Sequence, residues 1–469
     1  MSTPSGSDAA SGPAPRRRAR RWWIAALAAV LVAGGAVVAG VLEHRAWVEA
    51  VAEYEAEVAR VTAAADTSRD RAEEAYAASA DALDEAVDGG RPVLDASEGQ
   101  VSGPAVRRSL AEALDRAEDL RDAEVTYPVA TLTVDEVTRP NPFRPETLPQ
   151  VEVEVVDRSD PAPAELDAAA TEVTEATGAV VEARRRWAFE ELQAATTEGR
   201  DALTDLRSQV DDGALDELDA AVTDGEAMLD AGADAVDADD AVSLRDTLLG
   251  TTESLWADRL DQIVRERRQA ARDDGVDCRR DRCVALTFDD GPAASTERLL
   301  RILARKDAPA TFFMVGDNVA RRPEIARAVV DGGHLVANHT WNHPQLTGLD
   351  DAEVRDELRR TQDAVTDATG FTPFLLRPPY GDVDGRVRSI STRTGLDVVL
   401  WSLDSRDWES RDAREIRRRV RAEVEPGSNI LLHDIHATSV DAVPKIIDDL
   451  RDEDYVLVTA ELLVDRDEP

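Results

Sequence analysis

From residue 278 to the carboxyl end, short apolar runs alternate with stretches of helical pattern, and this alternation restricts the fold more than any other feature of the chain. Residues 284–288, 310–315, 334–338, 374–376, 397–401, 430–432 and 455–458 read as strands. Between them, 294–306, 323–330 and 350–369 read as helices. Units of this length repeated in series imply a parallel sheet, open or closed into a barrel. Both arrangements gather their active sites at the carboxyl ends of the strands.

Polar residues of a few types follow those strands. Asp289 and Asp290 end the first run, where Gly291-Pro292 stops it. Taken alone, two adjacent carboxylates are as consistent with a solvated turn as with a site. His339-Thr340-Trp341-Asn342-His343 follows another strand, and a spacing of four lets a single turn of helix aim both imidazoles at one point. Two histidines and a carboxylate make a three-ligand catalytic metal site with a position left for water, although a histidine pair on a surface helix is commonly inert. Arg377-Pro378-Pro379-Tyr380-Gly381, Asp404-Ser405-Arg406-Asp407-Trp408 and Leu431-Leu432-His433 follow three more strands. Singly they read as a proline turn, an acidic loop and a core histidine.

In this order and at strand ends, the five motifs resemble those of the polysaccharide deacetylases, carbohydrate esterase family four, whose shared unit is the NodB-homology domain. Thr287-Phe288-Asp289-Asp290-Gly291-Pro292 and the His-x-x-x-His-Pro run ending at Pro344 match without substitution. The resemblance covers about 278–465 and implies a distorted (β/α) barrel with fewer strands than the eight-stranded type. It also implies that Asp290, His339 and His343 hold a divalent metal, zinc in most of the family, with cobalt or another divalent ion as alternatives. Asp289 would be the general base, held off the metal by Arg377, and His433 the general acid. Asp407 would keep His433 protonated, with Asp404 the alternative partner for either His433 or Arg377. The metal and a backbone N–H near Tyr380 would stabilise the developing oxyanion, and Trp408 and Leu431 would wall the pocket for the acetyl methyl. An acetamide is a poor electrophile, so its hydrolysis needs a polarised carbonyl, a base for the water and an acid for the departing amine. His436 has no counterpart in the family, and a surface role suits it.

Upstream the chain changes character. Residues 22–42 carry no charge and are long enough, at roughly 20 residues, to cross a hydrocarbon core. Five arginines at 16–18, 20 and 21 precede the run and Glu43 follows it. The positive-inside rule leaves 1–21 as a cytoplasmic basic tail, 22–42 as a transmembrane helix and the remainder extracytoplasmic. A cleaved secretory signal is the alternative, and it would leave the protein secreted. The net charge of −40 argues against a nucleic-acid partner. Cys278 and Cys283, with four residues between them, fit a disulfide outside the cell better than half of a thiolate metal site.

Residues 43–125 are rich in Ala, Glu, Asp and Arg and predict a helical spacer unit. Trp47, Val51, Tyr54, Val58 and Val61 form a heptad seam that suggests a coiled-coil-like rod, and Gly89, Gly90 and Pro92 predict its end. A second seam, from Val106 to Leu120, suits an antiparallel hairpin. The stretch 126–163, crowded with Pro140, Pro142, Pro145 and Pro149, reads as a linker or a small sheet, with 151–155 alternating like a strand. Helical pattern returns over 164–277, with Phe189, Leu192, Leu203, Leu206 and Val210 on one seam. A faint echo between 94–106 and 229–242 reads as two related helical units or as chance similarity in an Ala-rich background. The seams also permit self-association.

The sequence thus predicts a multidomain protein: a membrane helix, a mostly α-helical extracytoplasmic region, and a C-terminal α/β barrel over 278–469. Its expected function is that of a membrane-anchored, metal-dependent deacetylase of N-acetylated cell-wall glycan, with N-acetylglucosamine of peptidoglycan foremost. Chitin oligomers, poly-N-acetylglucosamine and acetylxylan are the alternative substrates. A non-catalytic wall-binding scaffold is the alternative of another class.

Overall fold

A computed structural model describes residues 17–141 and 143–464, with side chains from residue 22 onward. The amino tail up to Arg16 and Pro142 of the proline cluster lie outside the described residues. The chain divides into two compact units, Met1–Arg184 and Arg185–Pro469.

The first unit is built on one long helix, α1 (Arg17–Ala96). Among the described residues it is the only helix long and apolar enough to cross a membrane, and residues 22–42 are exposed throughout. The seam from Trp47 to Val61 is covered, but by a β-ribbon rather than a second helix. This ribbon comprises β1 (Val129–Val134), β2 (Val137–Thr138), β3 (Thr147–Leu148) and β4 (Val151–Val156), with β1 antiparallel to β4 and β2 to β3. The prolines keep this stretch out of helix, and its Val and Thr residues favour extended backbone.

The expected stop at Gly89-Gly90-Pro92 does not occur, and α1 runs on to Ala96. Gly90 serves close packing instead, since a Cβ there would meet Thr177, Val173 and Leu114 at 3.0–3.3 Å. The second seam lies on α2 (Ala105–Arg121), which folds back so that Leu110 and Leu114 pack with Leu83 and Val87 of α1. Leu166 and Val173 of α3 (Pro163–Leu206) complete this core.

In the second unit, the latter half of α3 packs with α4 (Asp212–Asp230) and α5 (Ala238–Asp273) around Leu192, Leu206, Leu218 and Leu248. The two segments of the faint echo each join one helix to the next, α1 to α2 and α4 to α5. The parallel sheet follows. In chain order its elements are β5 (Cys283–Gly291), α6 (Thr296–Lys306), β6 (Thr311–Met314), α7 (Gly316–Arg321), α8 (Pro323–Asp331), β7 (Leu335–Asn338), α9 (Asp351–Thr369) and β8 (Leu375–Leu376). Then come α10 (Gly385–Arg393), β9 (Asp397–Val398), β10 (Leu403–Asp404), α11 (Asp407–Ser410), α12 (Ala413–Glu423), β11 (Asn429–His433), α13 (Ala437–Asp452) and β12 (Val456–Val458).

The strands lie in the order β10-β11-β5-β6-β7-β8-β9, all neighbours parallel, with β12 pairing the first residues of β5. This is the strand sequence of a (β/α) barrel. Among the described residues no ladder joins β9 to β10, so the sheet is a parallel half-barrel.

Strand parity sorts the sheet's two faces. Val284, Leu286, Phe288, Phe312 and Leu432 pack against the outer helices, whereas Ala285, Phe313, Ala337 and Leu375 share a separate core. Leu260 of α5 belongs to that second core and is fully buried. The helical segment 185–277 is therefore fastened to the sheet and forms one compact unit with it. A buried carboxylate strengthens the junction: Glu198 of α3 accepts hydrogen bonds from Arg393 (2.8 Å) and Arg355 (2.9 Å). Cys278 and Cys283 are disulfide-bonded at the start of β5, with Cα atoms 5.3 Å apart.

Candidate metal and hydrolytic centre

Consecutive residues of a strand point to opposite faces, so Asp289 and Asp290 should not both reach one site. They do so because β5 carries a bulge. Phe288 pairs with Phe312 and Gly291 with Met314, so three steps on β5 oppose two on β6. Asp290 takes up the extra residue at φ 71°, in the left-handed region that Asp tolerates better than most side chains. Asp289 keeps the inward parity of Ala285 and Thr287. Both carboxylates then approach one imidazole: Oδ2 of Asp289 lies 3.9 Å, and Oδ1 of Asp290 3.4 Å, from His339 Nε2.

His339 follows β7 directly and is buried. Its Nδ1 is 2.5 Å from the carbonyl oxygen of Arg377, so Nδ1–H donates there and the Nε2 lone pair faces Asp290. His343 brings its own Nε2 to 3.3 Å from the same Asp290 oxygen, and its Nδ1 lies 3.2 Å from the Tyr380 hydroxyl. The loop between the two histidines is not a regular helical turn, since Thr340 and His343 both have positive φ. Glu357 of α9, buried and unread from sequence, accepts the backbone N–H of Trp341 (2.8 Å) and Asn342 (3.0 Å) and so fixes the loop.

The three residues fit a divalent cation. Ligand atoms of Asp290, His339 and His343 lie within 4.8 Å of one another. Oδ1 of Asp290 is buried with no hydrogen-bond donor among the described residues, although it sits between two imidazole nitrogens. Burial alone would raise the Asp290 carboxyl, but the surrounding imidazoles, His339 foremost, outweigh it and hold the group down at about 2. A charged oxygen and two neutral nitrogens are the donor set of many catalytic zinc sites.

Asp289 has a different anchor. Arg377, fully buried after β8, donates from Nη1 to Asp289 Oδ1 (2.8 Å) and to Thr287 Oγ1 (2.8 Å), and from Nη2 to Asn429 Oδ1 (3.0 Å). Its guanidinium lies 4.0 Å from the ring centre of Phe313. Burial lowers the Arg377 pKa while Asp289 opposes that shift.

His433 lies across the ladder from Asp289, its register partner on β11. Its Nδ1 is 2.7 Å from Asp407 Oδ1, and Asp407 Oδ2 accepts the His433 backbone N–H at 2.7 Å and the Ser439 hydroxyl. Burial favours neutral imidazole, yet the bond to Asp407 and the charges of Asp407, Asp289 and Asp290 outweigh it and push the His433 pKa up to about 9. Asp404, the alternative partner, instead accepts the Arg406 backbone N–H (2.8 Å) and faces the Trp408 indole N–H (3.5 Å). Leu431 is buried and shares the inward parity of His433, while Trp408 is half exposed. Tyr380 is exposed and stands on backbone of φ 60°. The His436 ring is 5.8 Å from that of His433.

A second buried acid escaped the sequence reading. Asp434 accepts a hydrogen bond from the Thr296 hydroxyl, and its carboxylate stands so close to Gly291 that a Cβ there would fall 2.5 Å from Oδ2. Burial first, reinforced by the charges of Asp290 and Asp289, pushes its pKa up to about 7. The only available signal was its position next to His433.

The family model for polysaccharide deacetylase matches residues 277–399. The chain is 38% identical over 181 residues to the peptidoglycan-N-acetylglucosamine deacetylase PgdA of Listeria monocytogenes, covering 38% of this chain and 38% of that protein. It is 41% identical over 181 residues to the peptidoglycan-N-acetylmuramic acid deacetylase PdaC of Bacillus subtilis, with the same shares of each chain. The match thus spans about two fifths of the length of these curated relatives. A chitooligosaccharide deacetylase of Bradyrhizobium sp. is 43% identical over 155 residues, which is 33% of this chain and 71% of that protein. With the match covering most of that smaller protein, and with a half-barrel carrying all five motifs at its strand ends, the chain belongs to the polysaccharide deacetylase family.

Proposed function

We propose that the protein is a membrane-anchored, metal-dependent deacetylase that hydrolyses the N-acetyl group of amino sugars in cell-wall glycan, with N-acetylglucosamine of peptidoglycan the foremost substrate. One observation carries the reading. Asp290, His339 and His343 converge beside an Asp289 held by Arg377 and a His433 held by Asp407, an arrangement at the strand ends that supports reading them as metal ligands, base and acid.

Asp290, His339 and His343 would hold the cation, zinc being the first candidate. When bound, it supplies Lewis acidity that polarises the acetamide carbonyl and acidifies water. Asp289 takes a proton from the attacking water as its oxygen bonds to the carbonyl carbon. Arg377 keeps that carboxylate oriented for this task and off the cation. A backbone N–H near Tyr380 donates to the carbonyl oxygen as negative charge builds there. His433, kept protonated by Asp407, gives its proton to the sugar nitrogen as the C–N bond breaks, leaving acetate and a free amine. Trp408 and Leu431 bound the space for the acetyl methyl. The apolar stretch 22–42 supports the anchor, and relatives acting on peptidoglycan support the substrate.

The test is acetate release from peptidoglycan, chitooligosaccharides and acetylxylan, with zinc and after chelation. Zinc-dependent release from peptidoglycan, ahead of the other two, is expected. Release from acetylxylan alone would make the enzyme an esterase, and release from none with glycan binding retained would favour the scaffold.

A further inference from the structure

The β-ribbon of the first unit does more than cover a seam. Its contacts descend α1 in order. Val156 N–H donates to Ser68 Oγ (3.0 Å), the Tyr54 hydroxyl to the Pro149 carbonyl (2.5 Å), and Trp47 Nε1–H to the Glu146 carboxylate (3.1 Å). Lowest of all, Arg139 Nε and Asn141 Nδ2 each donate to the Glu43 carboxylate at 2.7 Å. At about 1.5 Å per helical residue and about 3.3 Å per strand residue, Ser68 to Tyr54 is about 21 Å of helix and Val156 to Pro149 about 23 Å of strand. The ribbon therefore runs along the helix, and its tip points toward the amino end of α1.

Glu43 is the first residue after the uncharged run 22–42. The ribbon's turn is docked at that level, and Phe143 projects from it, 92% exposed and the most exposed large apolar side chain among the described residues. The turn is internally braced: Phe143 N–H donates to Asn141 Oδ1 (2.9 Å) and Arg144 N–H to the Asn141 carbonyl (3.2 Å). Arg144 is exposed beside it. A lone exposed apolar residue is ordinary on a protein surface. This one is held on a built turn where the apolar segment ends, with a cation adjacent.

We infer that the β2–β3 turn is a lipid contact. Phe143 enters the boundary between headgroups and acyl chains of the outer leaflet, and Arg144 faces lipid phosphates. The inference rests on the reading of 22–42 as a membrane span and adds a second foothold to it. The ribbon then braces α1 against the bilayer, so the first unit is fixed in orientation as well as attached.

The two cysteines of the chain are bonded to each other, so Phe143→Cys supplies the only thiol for a nitroxide label. In the full-length protein reconstituted in phospholipid nanodiscs, a label at 143 should lose collisions with a water-soluble nickel chelate and gain collisions with oxygen. The reference is a label at Leu132→Cys on β1, which should behave as aqueous. A third label at Val38→Cys reports the span itself. If label 143 matches label 132 while label 38 reads hydrocarbon, the lipid contact is refuted and the span stands. If label 38 also reads water, the membrane reading falls and the inference falls with it. Phe143 is almost wholly exposed, so its substitution leaves the fold intact, which an unchanged circular dichroism spectrum verifies.

Discussion

Asp289 and Asp290 are neighbours in sequence with separate proposed duties and separate surroundings, Arg377 for the one and the imidazoles of His339 and His343 for the other. Replacing Asp289 by Asn removes the proton acceptor but no proposed ligand, so acetate release should fall by about 10²–10⁴-fold with zinc content unchanged by metal analysis. The other end of the reaction is read through pH. The His433 pKa is raised from 6.5 to about 9, so the proposed acid is protonated below that value and lost above it. The rate of acetate release should therefore have an alkaline limb near 9. Asp407→Asn should move the limb toward neutral pH, because the group that raises the pKa is gone. The same sign governs stability: what the His433–Asp407 pair contributes is complete below about 6.5 and fades as pH rises through 9. These residues were legible because their types and strand-end positions are chemically restrictive. Glu357, Asp434 and Glu198 were not, since each acts through a tertiary contact that composition cannot name.

At the scale of elements, most strands were readable because they are apolar and bounded by turns. Helix α12 was not, for its buried side chains are just Ile416 and Val420 amid arginines. The bulge in β5 was equally hidden, since ordinary alternation would send the two acids to opposite faces. The Trp47–Val61 seam was seen but given the wrong partner, because apolar spacing declares that a face is covered and not by what. At the end of the bulge, the bare α-carbon of Gly291 lets Asp434 close behind it. Gly291→Ala should therefore cost about 1–3 kcal/mol by overpacking and reduce acetate release as Asp290 is displaced. Denaturant titration and the acetate assay check the two effects. Glu198→Ala removes the buried carboxylate shared by Arg393 and Arg355, leaves Arg393 with the Glu253 carboxylate at 3.6 Å, and should cost about 3 kcal/mol in the same titration.

For the whole molecule, the boundary at 278 suggested by the motifs is not where the second compact unit begins. A fragment starting at 278 lacks Leu260 and Glu198, exposing the inner core of the sheet and two arginines. It should aggregate or melt well below a fragment of 185–469, as differential scanning calorimetry would record. The helical residues before 278 thus serve the half-barrel directly. At the other end of the chain, α1 passes from its apolar segment into the first unit without a break. On the membrane reading there is no swivel at the bilayer exit. Residues 43–96 extend about 80 Å as one rod, and a tilt of about 20°, common for such segments, would carry its far end sideways by more than 25 Å. Braced by the β2–β3 turn, the first unit would hold a set tilt rather than drift on a tether, and the bilayer's thickness would help to set how far into the wall it reaches.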